Sequence, residues 1–138
     1  AQALAGERGQ RLAEVERLSE DRLRLTFSDQ IMVDPGSAEI RPGFRDPLRK
    51  VAAVLRDYPQ SEALIVGHTD SRGSEAYNLE LSRRRAEAVR QALIAEGVPA
   101  ERVRAEGRGE AEPRADNATE AGRQLNRRGE IYVVLRRV

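Results

Sequence analysis

Between Ile65 and Leu93 the chain commits itself to one local architecture. Ile65-Val66-Gly67-His68-Thr69-Asp70 is an apolar run ending in a carboxylate, and Ser71-Arg72-Gly73 is turn chemistry. Asn78-Leu79-Glu80-Leu81-Ser82-Arg83-Arg84-Arg85-Ala86 then continues an amphipathic pattern. The apolar run from Ala63 to Gly67 predicts a central strand. A helix beginning between Ser74 and Asn78 should stop at Gly97, with Pro99 just beyond. Leu79, Ser82, Ala86, Val89 and Leu93 share one face of that helix and predict its buried stripe. At about 100° per residue the three consecutive arginines diverge. Arg84 lies opposite the stripe and Arg83 on one flank, while Arg85 lies on the other flank, nearly in line with Asn78. If the helix packs back on the sheet, the edge carrying Asn78 and Arg85 leads toward the strand end carrying Asp70.

The rest of the chain reads as alternating strands and helices. Arg22-Leu23-Arg24-Leu25-Thr26-Phe27 alternates strictly, the pattern of a half-buried strand, and Ile31-Met32-Val33 is expected to be a second short strand. Pro42 suits a helix start, and Phe44, Leu48, Val51, Ala52 and Leu55 recur at helical spacing before Pro59. Val103 to Ala105 predicts a strand, Gly107 to Asn117 a loop, Thr119 to Arg128 a short helix, and Gly129 to Leu135 a final strand. The expected order is β-β-α-β-α-β-α-β, an α/β (α+β) sandwich in which helices pack on a sheet. Residues 1–20 carry a weak helical stripe of Leu4, Leu12, Val15 and Leu18, broken by Gly6 and Gly9. They are expected to be a tether or an appended helix, with the domain proper over 21–138.

Composition excludes several function classes. A length of 138 residues suits one domain with a real core. A net charge of +1 argues against electrostatic binding of nucleic acid. Without cysteine there is no thiol catalysis, disulfide or Cys-based metal site. No run is apolar enough to span a membrane, and no signal peptide is present. The chain begins at Ala1, which is read as the start of a mature or excised portion of a longer protein.

The motif Gly67-His68-Thr69-Asp70-x-x-Gly73, followed by Asn78-x-x-Leu81-Ser82-x-x-Arg85-Ala86-x-x-Val89, resembles the core of the OmpA-like peptidoglycan-binding domain family. The resemblance covers about residues 21 to 136. It implies a mixed sheet with helices against it, and binding of meso-diaminopimelate on the stem peptide of peptidoglycan. The end of that side chain carries an ammonium and a carboxylate on one carbon. Carried over by position, Asp70 would hold the ammonium and Arg85 the carboxylate, a group that suits the flat guanidinium fork. Asp34 aligns with an acidic residue near the same pocket, and Asn78, Arg72 and Leu81 match positions that line it. The resemblance implies no cofactor, metal or catalytic residue. It also implies a periplasmic location, attached to the outer membrane or envelope through a region upstream. Asn126-Arg127-Arg128 and Glu130 match the family as well, and a structural ion-pair network docking the last helix is expected there. Gly129 replaces the usual apolar residue, which puts local packing in question, and Val33 stands where the family often has Phe.

Two rival functions stand beside this. One is an envelope protein-interaction or scaffold domain of the same fold that does not grip the wall. The other is an enzyme acting on peptidoglycan, suggested by His68 near Asp70 and Ser82. No nucleophile-elbow sequence surrounds Ser82, which falls on the buried helix face. A lone His without Cys is too little for a zinc site, so His68 is expected to be a hydrogen-bonded structural residue.

Overall fold

The computed structural model describes residues 2–5, 13–33 and 39–136. Its strands are β1 (Gln2–Ala5), β2 (Ala13–Ser19), β3 (Arg22–Ser28), β4 (Glu62–His68), β5 (Val103–Gly109) and β6 (Arg128–Val134). Its helices are α1 (Asp29–Met32), α2 (Arg45–Asp57), α3 (Glu75–Ala95) and α4 (Glu120–Asn126), with short 3-10 turns at Pro42–Phe44 and Ala100–Arg102. The six strands form one sheet in the order β1-β2-β3-β6-β4-β5. β4 and β5 pair in parallel and the other pairs are antiparallel, so the sheet is mixed as expected. The last strand, β6, is inserted between β3 and β4. No helix of the described residues is long and apolar enough to cross a membrane.

Strand alternation sends Leu25, Phe27, Ala63, Ile65, Ile131 and Val133 into the core, where Leu48, Val51, Leu55, Val89 and Leu93 meet them from α2 and α3. Phe27 and Phe44 pack edge-to-face, with centroids 4.7 Å apart. α3 starts at Ser74, whose hydroxyl accepts from the Tyr77 N–H. It ends before Gly97, which adopts a positive φ of 101°.

Three expectations need correction. Ala13–Ser19 is a strand paired antiparallel with β3, not part of a tether or helix. Val15 alternates there with Glu14 and Glu16, and Glu16 pairs with Arg24 across the ladder at 2.5 Å. Ile31-Met32-Val33 is not a strand. Ser28 caps the single turn α1 by accepting from the Gln30 N–H, and Val33 makes only an isolated bridge to Ile40. An apolar triplet cannot report its own period, so the cap decides. Leu79 is 52 % exposed, and Leu81 is buried in its place. The buried face of α3 runs through Asn78, Leu81, Ser82, Arg85, Ala86, Val89 and Leu93, rotated toward the Arg85 edge.

Glycine explains how closely α3 lies on the sheet. A Cβ on Gly67 would stand 2.4 Å from the Ser82 carbonyl oxygen, and one on Gly107 would stand 2.3 Å from the Arg83 nitrogen. Ser82 completes the contact by accepting from the Gly109 N–H while donating to the Leu79 carbonyl. Its small side chain does the packing expected of it. At Gly129, where packing was in question, the end of Met32 occupies the space a side chain would take, reaching 2.5 Å from the Cβ position.

Gly67→Ala should therefore lift α3 from the sheet and destabilise the fold by roughly 1–3 kcal/mol, the usual scale of overpacking. Gly43→Ala, where a Cβ meets nothing within 4 Å, should stay within about 0.5 kcal/mol of the parent. Urea denaturation of the two variants gives the comparison, and equal midpoints would show that the helix–sheet contact is not tight.

Candidate functional site

Thr69 and Asp70 leave the end of β4 beside the first turns of α3. The Thr69 N–H bonds the Gly109 carbonyl at 2.8 Å, which holds this segment to the end of β5. Asp70 is 5 % exposed. Its Oδ1 accepts from the Arg72 N–H at 2.9 Å, and its Oδ2 accepts from Arg127 Nη1 at 2.6 Å, with Arg72 Nη2 at 3.3 Å. Burial disfavours the charged carboxylate, but these donors outweigh it and hold Asp70 below its ordinary pKa.

Asn78 is a splint for the turn. Its amide nitrogen lies 2.8 Å from the Arg72 carbonyl, 3.3 Å from the Asp70 carbonyl and 3.2 Å from Glu110 Oε1. Arg85, seven residues later on the same edge of α3, is 8 % exposed. Burial lowers its pKa, partly offset by Asp29, whose Oδ2 stands 3.7 Å from Nη1. Arg84 points to solvent, 3.9 Å from Glu80. The divergence of the three arginines is thus as the helix phase implied.

Asp70, Arg72, Asn78, Leu81 and Arg85 line a single open cleft, so five of the six site residues expected from sequence come together. The sixth, Asp34, lies outside the described residues. Val33 forms part of the wall.

Three further charged residues line the cleft, Arg41, Arg127 and Asp29, and the last two contact the expected site residues. Arg127 reaches Asp70, and also binds Glu120 at 2.7 Å and Gln124 at 3.0 Å. It ties α4 to the turn after β4, so the expected docking network is present, but its guanidinium also lines the site. Asp29 opens α1 and points its carboxylate between Arg85 and Arg127, at 3.7 and 3.9 Å. Burial raises its pKa, and the two arginines together with a hydrogen bond from Gln124 offset only part of that. No motif pointed to Asp29. Its role follows from Ser28 capping a helical turn and aiming the next side chain inward.

A second polar cluster is buried beside the cleft. His68 Nε2 and Glu130 Oε1 are 2.7 Å apart, both side chains buried, and Arg128 lies 3.4 Å from Glu130. Arg128 also donates to the carbonyls of Asn126 and Glu112. Asn126 binds the loop before α4 through the Arg114 and Ala115 N–H groups. These residues pin the loop to the sheet. With His68 engaged by Glu130 and Ser82 by backbone groups, the two do not form a nucleophile–base pair.

Burial opposes ionisation of Glu130, but the bond to His68 and the charge of Arg128 hold its pKa at about 2. A folded pKa below the ordinary glutamate value of about 4.3 means stability that is present above that value. It is lost as pH falls through about 2. Glu130→Gln should be less stable than the parent at neutral pH, and the gap should close on acidification through this window. Denaturant titrations across pH would show it, and a gap that persists at the acid end would exclude Glu130 as the titrating group.

Comparison with known proteins identifies the family and the fold. The model of the OmpA family matches residues 32–127. The probable lipoprotein YiaD of Escherichia coli (strain K12) is 41 % identical over 113 residues, covering 82 % of this chain and 52 % of the relative. Outer membrane porin F of Pseudomonas fluorescens is 43 % identical over 103 residues, covering 75 % of this chain and 32 % of the relative. The chain thus spans about half or less of these two curated relatives. Among solved structures, the cell wall anchor of the T6SS from Pseudomonas aeruginosa superposes with a TM-score of 0.80 at 36 % identity, covering 91 % of this chain and 89 % of the other. The peptidoglycan-associated lipoprotein from Burkholderia pseudomallei gives a TM-score of 0.69 at 36 % identity, covering 75 % and 87 %. Sequence match and fold agree, and the chain belongs to the OmpA family.

Proposed function

We propose that this chain is a non-catalytic module that binds the diaminopimelate-containing stem peptide of peptidoglycan in the Asp70–Arg85 cleft. It would thereby anchor an outer-membrane or envelope protein to the cell wall from the periplasm. The observation that carries this reading is the presence of two buried, oppositely charged groups on one open cleft. A ligand bearing an ammonium and a carboxylate on one carbon matches that arrangement. Arg85 offers a fork for the carboxylate. Asp70 is held ionised, and its two oxygens have lone pairs beyond those used by Arg72 and Arg127.

Support also comes from the similar structures, which include a cell wall anchor and a peptidoglycan-associated lipoprotein. Anchoring suits a module of this kind, because many weak sites on a polymer add up to firm attachment without a permanent bond. An envelope scaffold that kept the fold without wall binding is the alternative the test must separate.

Arg85→Ala should weaken binding of purified sacculi and of free meso-diaminopimelate tenfold or more, as expected for a lost charge-assisted contact of about 1.5–3 kcal/mol. Arg84→Ala should bind like the parent. Asp70→Asn should fold, by circular dichroism, yet bind much more weakly. Sacculi incubated with the protein should release no soluble muropeptides. Absence of binding by the parent would favour the scaffold reading, equal loss in both arginine variants would point to nonspecific charge, and timed muropeptide release would make the chain an enzyme.

A further inference from the structure

We infer that Asp29 is an internal competitor for Arg85, a carboxylate of the protein's own that the ligand's carboxylate must displace, and that it thereby sets the affinity of the cleft. The inference rests on the reading of the cleft as a site for a zwitterionic stem-peptide group.

Asp29 differs from Asp70 in how it is held. Asp70 makes hydrogen bonds to the Arg72 N–H and to Arg127 at 2.9 and 2.6 Å. Asp29 Oδ2 stands 3.7 Å from Arg85 and 3.9 Å from Arg127, within ion-pair range but beyond hydrogen-bond length. Its backbone is firmly placed. The Asp29 N–H bonds the Arg127 carbonyl at 3.1 Å, and its own carbonyl accepts from the Val33 N–H. The side chain is therefore delivered to the guanidinium that a ligand carboxylate would use, without being locked onto it. Two like charges cannot share one guanidinium without cost, so a ligand carboxylate arriving at Arg85 must push Asp29 aside or bind beside it.

Among the described residues, charged groups of several elements line the cleft with Asp29. Arg85 comes from α3, Arg127 from the junction of α4 and β6, Asp70 from beyond β4, and Arg41 from the segment before α2. His68 and Arg128 lie across a small internal void that Asp29 and Arg85 also line. Within this set the two carboxylates separate. Burial raises Asp29, while its donors lower Asp70. On acidification Asp29 takes a proton first. Neutral Asp29 no longer competes, so binding should strengthen. Further acidification protonates Asp70, and binding should then collapse.

Isothermal titration of the parent and Asp29→Asn with meso-diaminopimelate, across pH from neutral into the carboxylate range, tests this. Asp29→Asn should bind about three- to fivefold more tightly at neutral pH, the scale of one partly solvated ion pair. The parent's affinity should rise toward the variant's on mild acidification, and the variant should lack that rise. His68 is present in both proteins, so only the difference between the two profiles reports Asp29. Asn keeps the polar shape at the start of α1, and the parent's own pH profile tests the inference without any variant. Unchanged or weaker binding by a folded Asp29→Asn, or a parent affinity that only falls with pH, would overturn the inference while leaving the cleft assignment intact. Failure of both proteins to bind would overturn the cleft assignment and the inference with it.

Discussion

The site depends on how closely α3 lies against the ends of β4 and β5. Gly67 and Gly107 leave no side chain between helix and sheet, and Ser82 fills the remaining gap while bonding Gly109. A helix held at ordinary side-chain distance would carry Asn78 and Arg85 away from the turn after β4. At this closer distance Asn78 can splint the turn that presents Asp70, and Arg85 opens onto the same cleft. Packing and binding geometry are thus one constraint, and the small residues of the motif serve the site as much as the charged ones do.

Charge is then arranged in two compartments. The cleft brings Asp29, Asp70, Arg41, Arg72, Arg85 and Arg127 around an open space. The adjoining cluster of His68, Glu130 and Arg128 is buried and satisfied largely within the protein. Both are built from Asp or Glu facing Arg, but they do different work. The buried cluster fixes the loop before α4, because breaking one partner would strand a charge in a dry environment. The cleft keeps its guanidinium groups where a ligand can reach them. Arg127 joins the two functions, tying α4 to the Asp70 turn while remaining part of the cleft wall.

Much of this was legible before any coordinates. The alternation of β3, the apolar run of β4 and the motif from Gly67 to Val89 each reported their element, because their periods extend over several residues. The divergence of Arg83, Arg84 and Arg85 followed from helix geometry alone. Reading the stripe by hydropathy placed Leu79 inside. The first turns of α3 instead bury Asn78 and Arg85, whose polar groups find partners there, and leave Leu79 in solvent. The upstream strand β2 was equally hidden, since a few scattered apolar residues fit a weak helix as well as half of a hairpin.

By itself, then, the sequence determined the succession of elements around the motif and the helix phase that sets Asn78 and Arg85 on one edge of α3, apart from Arg84. Those are local properties, carried by residues within about one helix length of each other. Tertiary structure alone decided that Arg127 clamps Asp70 from 57 residues away, that Met32 fills the space left at Gly129, and that Asp29 stands before Arg85. Each of these arises because β6 is inserted between β3 and β4, which brings the end of α4 and the start of α1 against the Asp70 turn. Strand order is a property of the whole chain's packing, and no local pattern encodes which arginine will face which carboxylate.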